Sequence, residues 1–385
     1  MTLPLPPSVV QDSLRAHMGL LARLYAPQHI AGKRGILGLV VRGETAHLGY
    51  GSSHSSTPTL PILTDLTSGR VYTVRTDGQP EPLPTLHAAR REGFDQAVFR
   101  MRAEGIIPAV TARGVVYLDF DDLSGRSEVY LFTDGRAPQT VRMGNPGHNR
   151  HIVAAGEHVT AHNGRIDMPW PTLRGSVDGG ETWHSVQPAA SEPERPSSVA
   201  YTRLGVFRGR IFGWSPTLVN SPQPAVFTVE RAGETLEARV LWEDPATYWP
   251  AGSSTTTIMN GQPIVMWPQM EEAYETQQGL YLRTIPANLF FTPDPATVRP
   301  VRVNPPANPV AYATRYGVLY AVSQTAVFRL DGTSWTNLGT LALPFAPSLA
   351  ALSDAGALVV VGRQGTEDLA VASIPARAMA VYLNR

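Results

Sequence analysis

Arg174-Gly175-Ser176-Val177-Asp178-Gly179-Gly180-Glu181-Thr182-Trp183 is the stretch that most narrows what this chain can become. It reads as a strand arriving, a tight turn and a strand leaving. Asp178 carries a short acceptor able to bond turn amides, and Gly179 and Gly180 tolerate the positive φ of such a turn. Ser176 and Thr182 place hydroxyls on either side of it. Trp183 supplies a large flat body to bury beneath the hairpin.

Weaker copies of the same ending recur. Tyr72-Thr-Val-Arg-Thr-Asp77-Gly78, Tyr130-Leu-Phe-Thr-Asp134-Gly135 and Phe328-Arg-Leu-Asp331-Gly332 are each an aromatic-led strand closing in Asp-Gly, and Ser334-Trp335 echoes Thr182-Trp183. Turns centred on positions 77, 134, 178, 232, 294 and 331 are spaced 37 to 62 residues apart. Their mean spacing of about 51 suits a unit of four short strands with its loops. Between these turns lie β-type runs, among them Ile36–Val41, Thr45–Tyr50, Gln96–Arg100, Ile106–Thr111, Val115–Phe120, His158–Asn163, Val206–Trp214, Ala225–Glu230, Val318–Val322, Ala357–Val361 and Leu369–Ile374. Ala378–Leu383 reads as a last strand, which with Ile36–Tyr50 would let both chain ends share one sheet and remove an open edge.

Ser176-x-Asp178-x-Gly180-x-Thr182-Trp183 resembles the Asp-box (BNR) hairpin of sialidases and many other β-propellers at every defined position. That resemblance implies an all-β chain folded as a single β-propeller of six or seven four-stranded blades. It further implies that Ser176, Asp178, Gly180, Thr182 and Trp183 are a fold staple lying away from any active site. Sialidase chemistry would need three arginines on a substrate carboxylate, a tyrosine nucleophile polarised by glutamate, and an aspartate acid/base. Here Tyr274 lies among Glu271, Glu272 and Glu275, but the Arg-Ile-Pro element has only the imperfect matches Arg100 and Arg283-Thr284-Ile285-Pro286.

Residues 1–34 differ from the rest. Ser8 with Gln11 makes a capping-box arrangement, and Val10, Leu14, Met18, Leu21 and Tyr25 recur at helical spacing until Pro27 stops the run. The expected organisation is an N-terminal arm over 1–34 with an amphipathic helix, then the propeller over 35–385. The apolar stripe between Ser8 and Tyr25 either packs on its own domain, as most such stripes do, or is the surface that meets other protein subunits.

Charge and composition exclude several classes. The 32 basic and 32 acidic residues balance without a basic block, so nucleic acid is not an expected partner. Lys33 is the sole lysine, and the arginines are scattered in a way that reflects residue usage more than a built anion surface. Cysteine is absent, which removes disulfides, thiolate catalysis and zinc–thiolate sites. No run reaches the roughly 18 apolar residues that span a bilayer. The N-terminus lacks the features of a signal peptide, so the expected location is the cytoplasm or a virion.

His148, His151, His158 and His162, with Asp167 nearby, are the candidate metal ligands, although HExxH-type spacing is missing and no cofactor is expected. Asp119, Asp121 and Asp122 lack calcium-loop spacing. Trp242, Tyr248, Trp249 and Trp267 offer stacking platforms for a glycan, or core. The sequence therefore points to a non-catalytic scaffold that belongs to a larger assembly such as a phage tail or virion. The alternative is a carbohydrate-active enzyme (sialidase-like hydrolase or metal-dependent polysaccharide lyase) or a glycan-binding module.

Overall fold

The computed structural model describes residues 35–51, 60–68, 70–83, 96–101, 103, 105–120, 127–144, 148–164, 172–192, 203–207, 210–215, 225–243, 255–259, 262–267, 271–276, 279–284, 288–291, 301–303, 306–307, 310–315, 318–331, 334–364 and 368–383. The arm expected over 1–34 and the turn expected at 294 lie outside the described residues. Within them the protein is a series of sheets of nine, four, five, four, two, four and three strands, antiparallel throughout except where Gln187–Pro188 pairs parallel to Thr235–Glu243 in the five-stranded one.

The nine-stranded sheet is two meanders joined edge to edge where Gly51 pairs with Gly105. The two-stranded one is a hairpin, Glu271–Thr276 with Gly279–Thr284, which in chain order falls between Gln262–Trp267 and Asn288–Phe291, two paired strands of a four-stranded sheet. Counted this way, the described residues contain seven meanders, called the first to seventh sheets below, each opening with a hairpin. The opening pairs are Gly35–Arg42 with Thr45–Gly51, Gly105–Val110 with Gly114–Phe120, and His148–Ala155 with His158–Gly164. Then come Arg203–Phe207 with Arg210–Ser215, Thr255–Met259 with Gln262–Trp267, Ala311–Arg315 with Val318–Val322, and Ala346–Leu352 with Leu358–Gln364.

Turns inside these hairpins are short. Gly43 (φ 56°) and Gly156 (φ 66°) sit in two-residue turns whose twist demands the left-handed region. More residues separate the second strand from the third in the first four of these sheets, 52–61, 121–127, 165–172 and 216–224. The short turns of the first three meanders abut: Ala112 N donates to Gly156 O at 2.9 Å, and Arg42 Nη2 donates to Ala112 O at 3.4 Å.

First strands of successive meanders lie side by side. Gly35–Arg42 neighbours Gly105–Val110, which neighbours His148–Ala155, then Arg203–Phe207, then Thr255–Met259. Ala311–Arg315 neighbours Ala346–Leu352, and Ala346–Leu352 in turn lies beside Gly35–Arg42. Cores fill the spaces between sheets because alternate residues of one strand face opposite ways. Val359 and Val361 of the last sheet pack in one cluster with Ala46, Leu48, Tyr50 and Ile62 of the first. Their neighbours Leu358 and Val360 pack instead with Tyr320, Val322 and Val327 of the sheet before. Ile107, Val116 and Leu118 meet Ile152, Val159 and Ala161, while Leu173 and Val186 meet Leu204, Ile211 and Phe227.

Several expectations are corrected. Ala378–Leu383 is not a strand: Ala376–Leu383 is an α-helix. Ala376, Arg377, Ala378, Met379 and Ala380 are strong helix formers, and Pro375 O accepts from Ala378 N and Met379 N at 2.9 and 3.0 Å to start the turn. Met379 is buried and joins the core beside Leu358 and Ile374. The two chain ends therefore do not share a sheet among the described residues; the first and last sheets meet by packing. Gln96–Arg100 is not a strand either, since residues 96–97 are helical and only Val98 makes a bridge, to Arg75. Val206–Trp214 divides into Arg203–Phe207 and Arg210–Ser215.

Candidate functional site

The turn after Leu173–Ser176 is held by its own side chains. Ser176 Oγ donates to Asp178 Oδ1 (2.7 Å) and accepts from Gly180 N (2.8 Å). Asp178 Oδ1 accepts from Thr182 N (2.9 Å) and Oδ2 from Thr182 Oγ1 (2.5 Å). Trp183 Nε1 donates to Gly180 O at 2.8 Å, and its half-buried ring packs against the core between the second and third sheets. Gly180 (φ 101°) permits the turn twice over, because a Cβ there would lie 3.0 Å from Leu131 and 3.3 Å from Val116. Burial works to raise the Asp178 pKa, but the bonds from Thr182 and Ser176 outweigh it and hold the carboxyl below its usual value.

This turn is tied to its neighbours. Gly179 N donates to Glu157 O at 2.8 Å, and Arg113 reaches Glu157 (3.0 Å) and Glu181 (3.1 Å) from the next sheet. These ion pairs are exposed and contribute orientation more than stability.

A polar seam lies toward the other end of the second and third sheets. Ser127 (φ 38°) and Thr172 (φ 56°) are the non-glycine residues with positive φ among those described, each at the start of a third strand and each buried. Asn163 links them: its N donates to Thr172 O at 3.1 Å, and its Nδ2 donates to Ser127 Oγ at 2.6 Å. Backbone strain of this kind persists only where surrounding bonds over-determine it. Arg174, paired in register with Ala161 and Ser185, shares this face of the third sheet. Its Nη1 donates to Ser185 Oγ at 2.8 Å, and burial pushes its pKa down. Sequence inspection passed over Arg174 and Asn163, because neither spacing nor composition marks a residue that becomes buried only when two sheets pack.

The histidines spread along one hairpin. His148 is opposite Gly164, His151 opposite His162, and His158 opposite Ala155 at the turn. His151 Nδ1 accepts from Leu204 N at 2.9 Å, and His162 is fully buried. His158 and His162 are four strand residues apart, about 13 Å at 3.3 Å per residue. Asp167 lies outside the described residues, among which no group of three or more His, Asp or Glu side chains gathers. Asp119 is buried at the end of Gly114–Phe120, and Asp121 and Asp122 lie outside the described residues. In the hairpin Glu271–Thr276 with Gly279–Thr284, Tyr274 is opposite Tyr281 and Glu272 opposite Arg283.

A further buried titratable pair belongs to the core. His47 Nδ1 and the Tyr117 hydroxyl are 2.8 Å apart. Burial, with the nearby Arg42 charge, lowers the His47 pKa to about 3, and burial raises Tyr117 well above its ordinary value. Both groups are therefore neutral at physiological pH.

No family model and no curated protein matches the sequence. Among solved structures, the chain is similar to a gluconolactonase from Xanthomonas campestris at 14% identity, covering 70% of this chain and 85% of that one with a TM-score of 0.40. It is similar to a streptogramin B lyase at 9% identity, covering 89% and 95% with a TM-score of 0.49. It is also similar to the β-propeller domain of the Trilobed protease from Pyrococcus furiosus at 7% identity, covering 89% and 95% with a TM-score of 0.48.

Proposed function

We propose that this chain is a single β-propeller of seven blades, closed by packing of its last sheet on its first, and that it acts as a non-catalytic scaffold. The observation that carries the reading is the shared core of Val359, Val361 and Val371 with Ala46, Leu48 and Ile62, which joins the two ends of the sheet series. A ring closed this way has a fixed set of loop positions, which is what a presenting scaffold requires. In this reading Ser176, Asp178, Gly180, Thr182 and Trp183 form an Asp-box staple that locks the third blade, consistent with their bonding to one another and not toward a cleft. The groups with displaced pKa values fit the same role, since Asp178 serves its turn and His47 and Tyr117 serve the core.

The arm over 1–34 then fastens the ring to other subunits through the stripe Val10, Leu14, Met18, Leu21 and Tyr25, in an assembly such as a phage tail or virion. Light scattering after size exclusion tests this on the full chain and on Leu14→Glu/Met18→Glu. The wild type is expected to self-associate or to hold a co-purifying subunit, and the variant to lose it. If both run as bare monomers, the arm has no such role. A panel of sialosides and uronic-acid polymers tests the enzymatic alternative, and turnover of any of them would replace the scaffold reading.

A further inference from the structure

Arg174 is a buried cation with little to hold it. The residue is 7% exposed, its single side-chain hydrogen bond is the one from Nη1 to Ser185 Oγ, and its Nε–H meets no acceptor among the described residues. A guanidinium offers five donors in a planar fork, so one satisfied donor leaves most of its capacity unused. Burying an unpaired charge is costly unless something compensates it. Structural arginines in this chain are paired differently: Arg113, Arg210 and Arg329 lie near the surface, each against a carboxylate.

The surroundings hold the guanidinium in place instead of neutralising it. Its Nη1, Cζ and Nη2 lie 3.4, 3.5 and 3.5 Å from where a Cβ of Gly144 would stand, so the plane lies flat against that glycine. Gly144 has φ 109°, and a larger residue there would be strained and would press on the fork. Asn163, two residues beyond the register partner Ala161, lies on the same face of the sheet, and its bond to Ser127 fixes the polar floor of the seam. The strained Ser127 and Thr172 lie beside Asn163, where stored backbone strain is a mark of binding sites.

We propose that the seam between the second and third sheets, centred on Arg174, binds a small oxyanion, a carboxylate or a phosphate group. The planar fork matches two oxygens of such a group, and an anion in the seam compensates the buried charge. Ser185 supplies the hydroxyl that orients the fork. The inference stands apart from the scaffold reading, since a ligand group here requires no chemistry. It would make the seam the point where the propeller recognises an anionic partner or metabolite.

The test uses the full chain. Thermal unfolding and calorimetric titration are run with sodium phosphate and with sodium acetate, each against sodium chloride at matched ionic strength. A saturable rise in Tm beyond chloride is expected with at least one anion; phosphate alone marks a phosphoryl group and acetate alone a carboxylate. Arg174→Met should weaken that anion at least tenfold, and Arg174→Lys, which keeps charge but loses the fork, should weaken it less. If Arg174→Met fails to fold, the Nε–H resonance of Arg174 in the wild type, assigned with Arg174→Lys, reports directly and should shift on titration. The absence of any anion-specific change in wild type, or unchanged affinity in a folded Arg174→Met, overturns the proposal.

Discussion

Asp178 accepts from the hydroxyl and amide of Thr182 and from the hydroxyl of Ser176, so one carboxylate fixes both flanks of a turn. Asp178→Ala is expected to cost about 3 kcal/mol in urea unfolding, the sum of three modest hydrogen bonds at about 1 kcal/mol each. Trp183→Ala should cost about 3 kcal/mol, the low end for a large aromatic because the ring is half-buried. The folded pKa of Asp178 lies below the ordinary carboxyl value of 3.8, so its contribution is present above that pH and fades as pH falls through the lower value. His47 works at milder acidity. Its folded pKa of about 3 lies below the unfolded 6.5, so the unfolded chain takes up a proton first as pH drops. Stability should therefore be complete above pH 6.5 and fall by about 1.4 kcal/mol per pH unit below it, until the folded pKa is reached. Unfolding free energies from urea titrations at pH 7 and 5 should differ by about 2 kcal/mol more in wild type than in His47→Gln. Equal divergence would mean His47 protonates without penalty.

At the level of strands and helices, steric closeness decides more than ion pairing. A Cβ on Gly213 would sit 2.0 to 2.7 Å from three ring atoms of Phe227, so Gly213→Ala must displace a fully buried aromatic. A loss of about 3 kcal/mol is expected, at the upper range for overpacking. Arg113→Ala, by contrast, should leave the urea midpoint nearly unchanged at 0.5 M salt, because its partners Glu157 and Glu181 are exposed. The same distinction explains what is legible in the sequence alone. First and second strands such as Ile106–Thr111, Val115–Phe120 and Val318–Val322 were legible because they are buried, branched and bounded by Asp-Gly or Gly turns. Outer strands were not: Pro80–Pro82, Gln139–Arg142 and His184–Ser185 are short and largely exposed, and only pairing with a formed neighbour makes them strands. Ala378–Leu383 was misread because its alternating small and apolar residues satisfy both periods, and Pro375 with the alanine-rich first turn tips it to helix. Of the seam, Ser185 meets Arg174 only once its short outer strand has paired, and Asn163 meets Ser127 only when two sheets pack, so neither carries a local signal.

For the molecule as a whole, the packing of Val361 beside Leu48 couples the beginning and the end of the chain. Val361→Ala should cost about 1 to 2.5 kcal/mol for its lost methyl groups and cavity. Its fingerprint is nonlocal: hydrogen exchange should accelerate in Ala46–Tyr50 as well as in Leu358–Gln364. Exchange confined to the last sheet would mean the ends are energetically separate. X-ray scattering should give a radius of gyration near 21 Å, the value for a compact domain of this length. The abutting hairpin turns also set where foreign sequence can be carried. A peptide grafted between Gly156 and Glu157 would sever the links from Ala112 and Gly179. Epitope display or domain fusion on this chain should therefore avoid that turn.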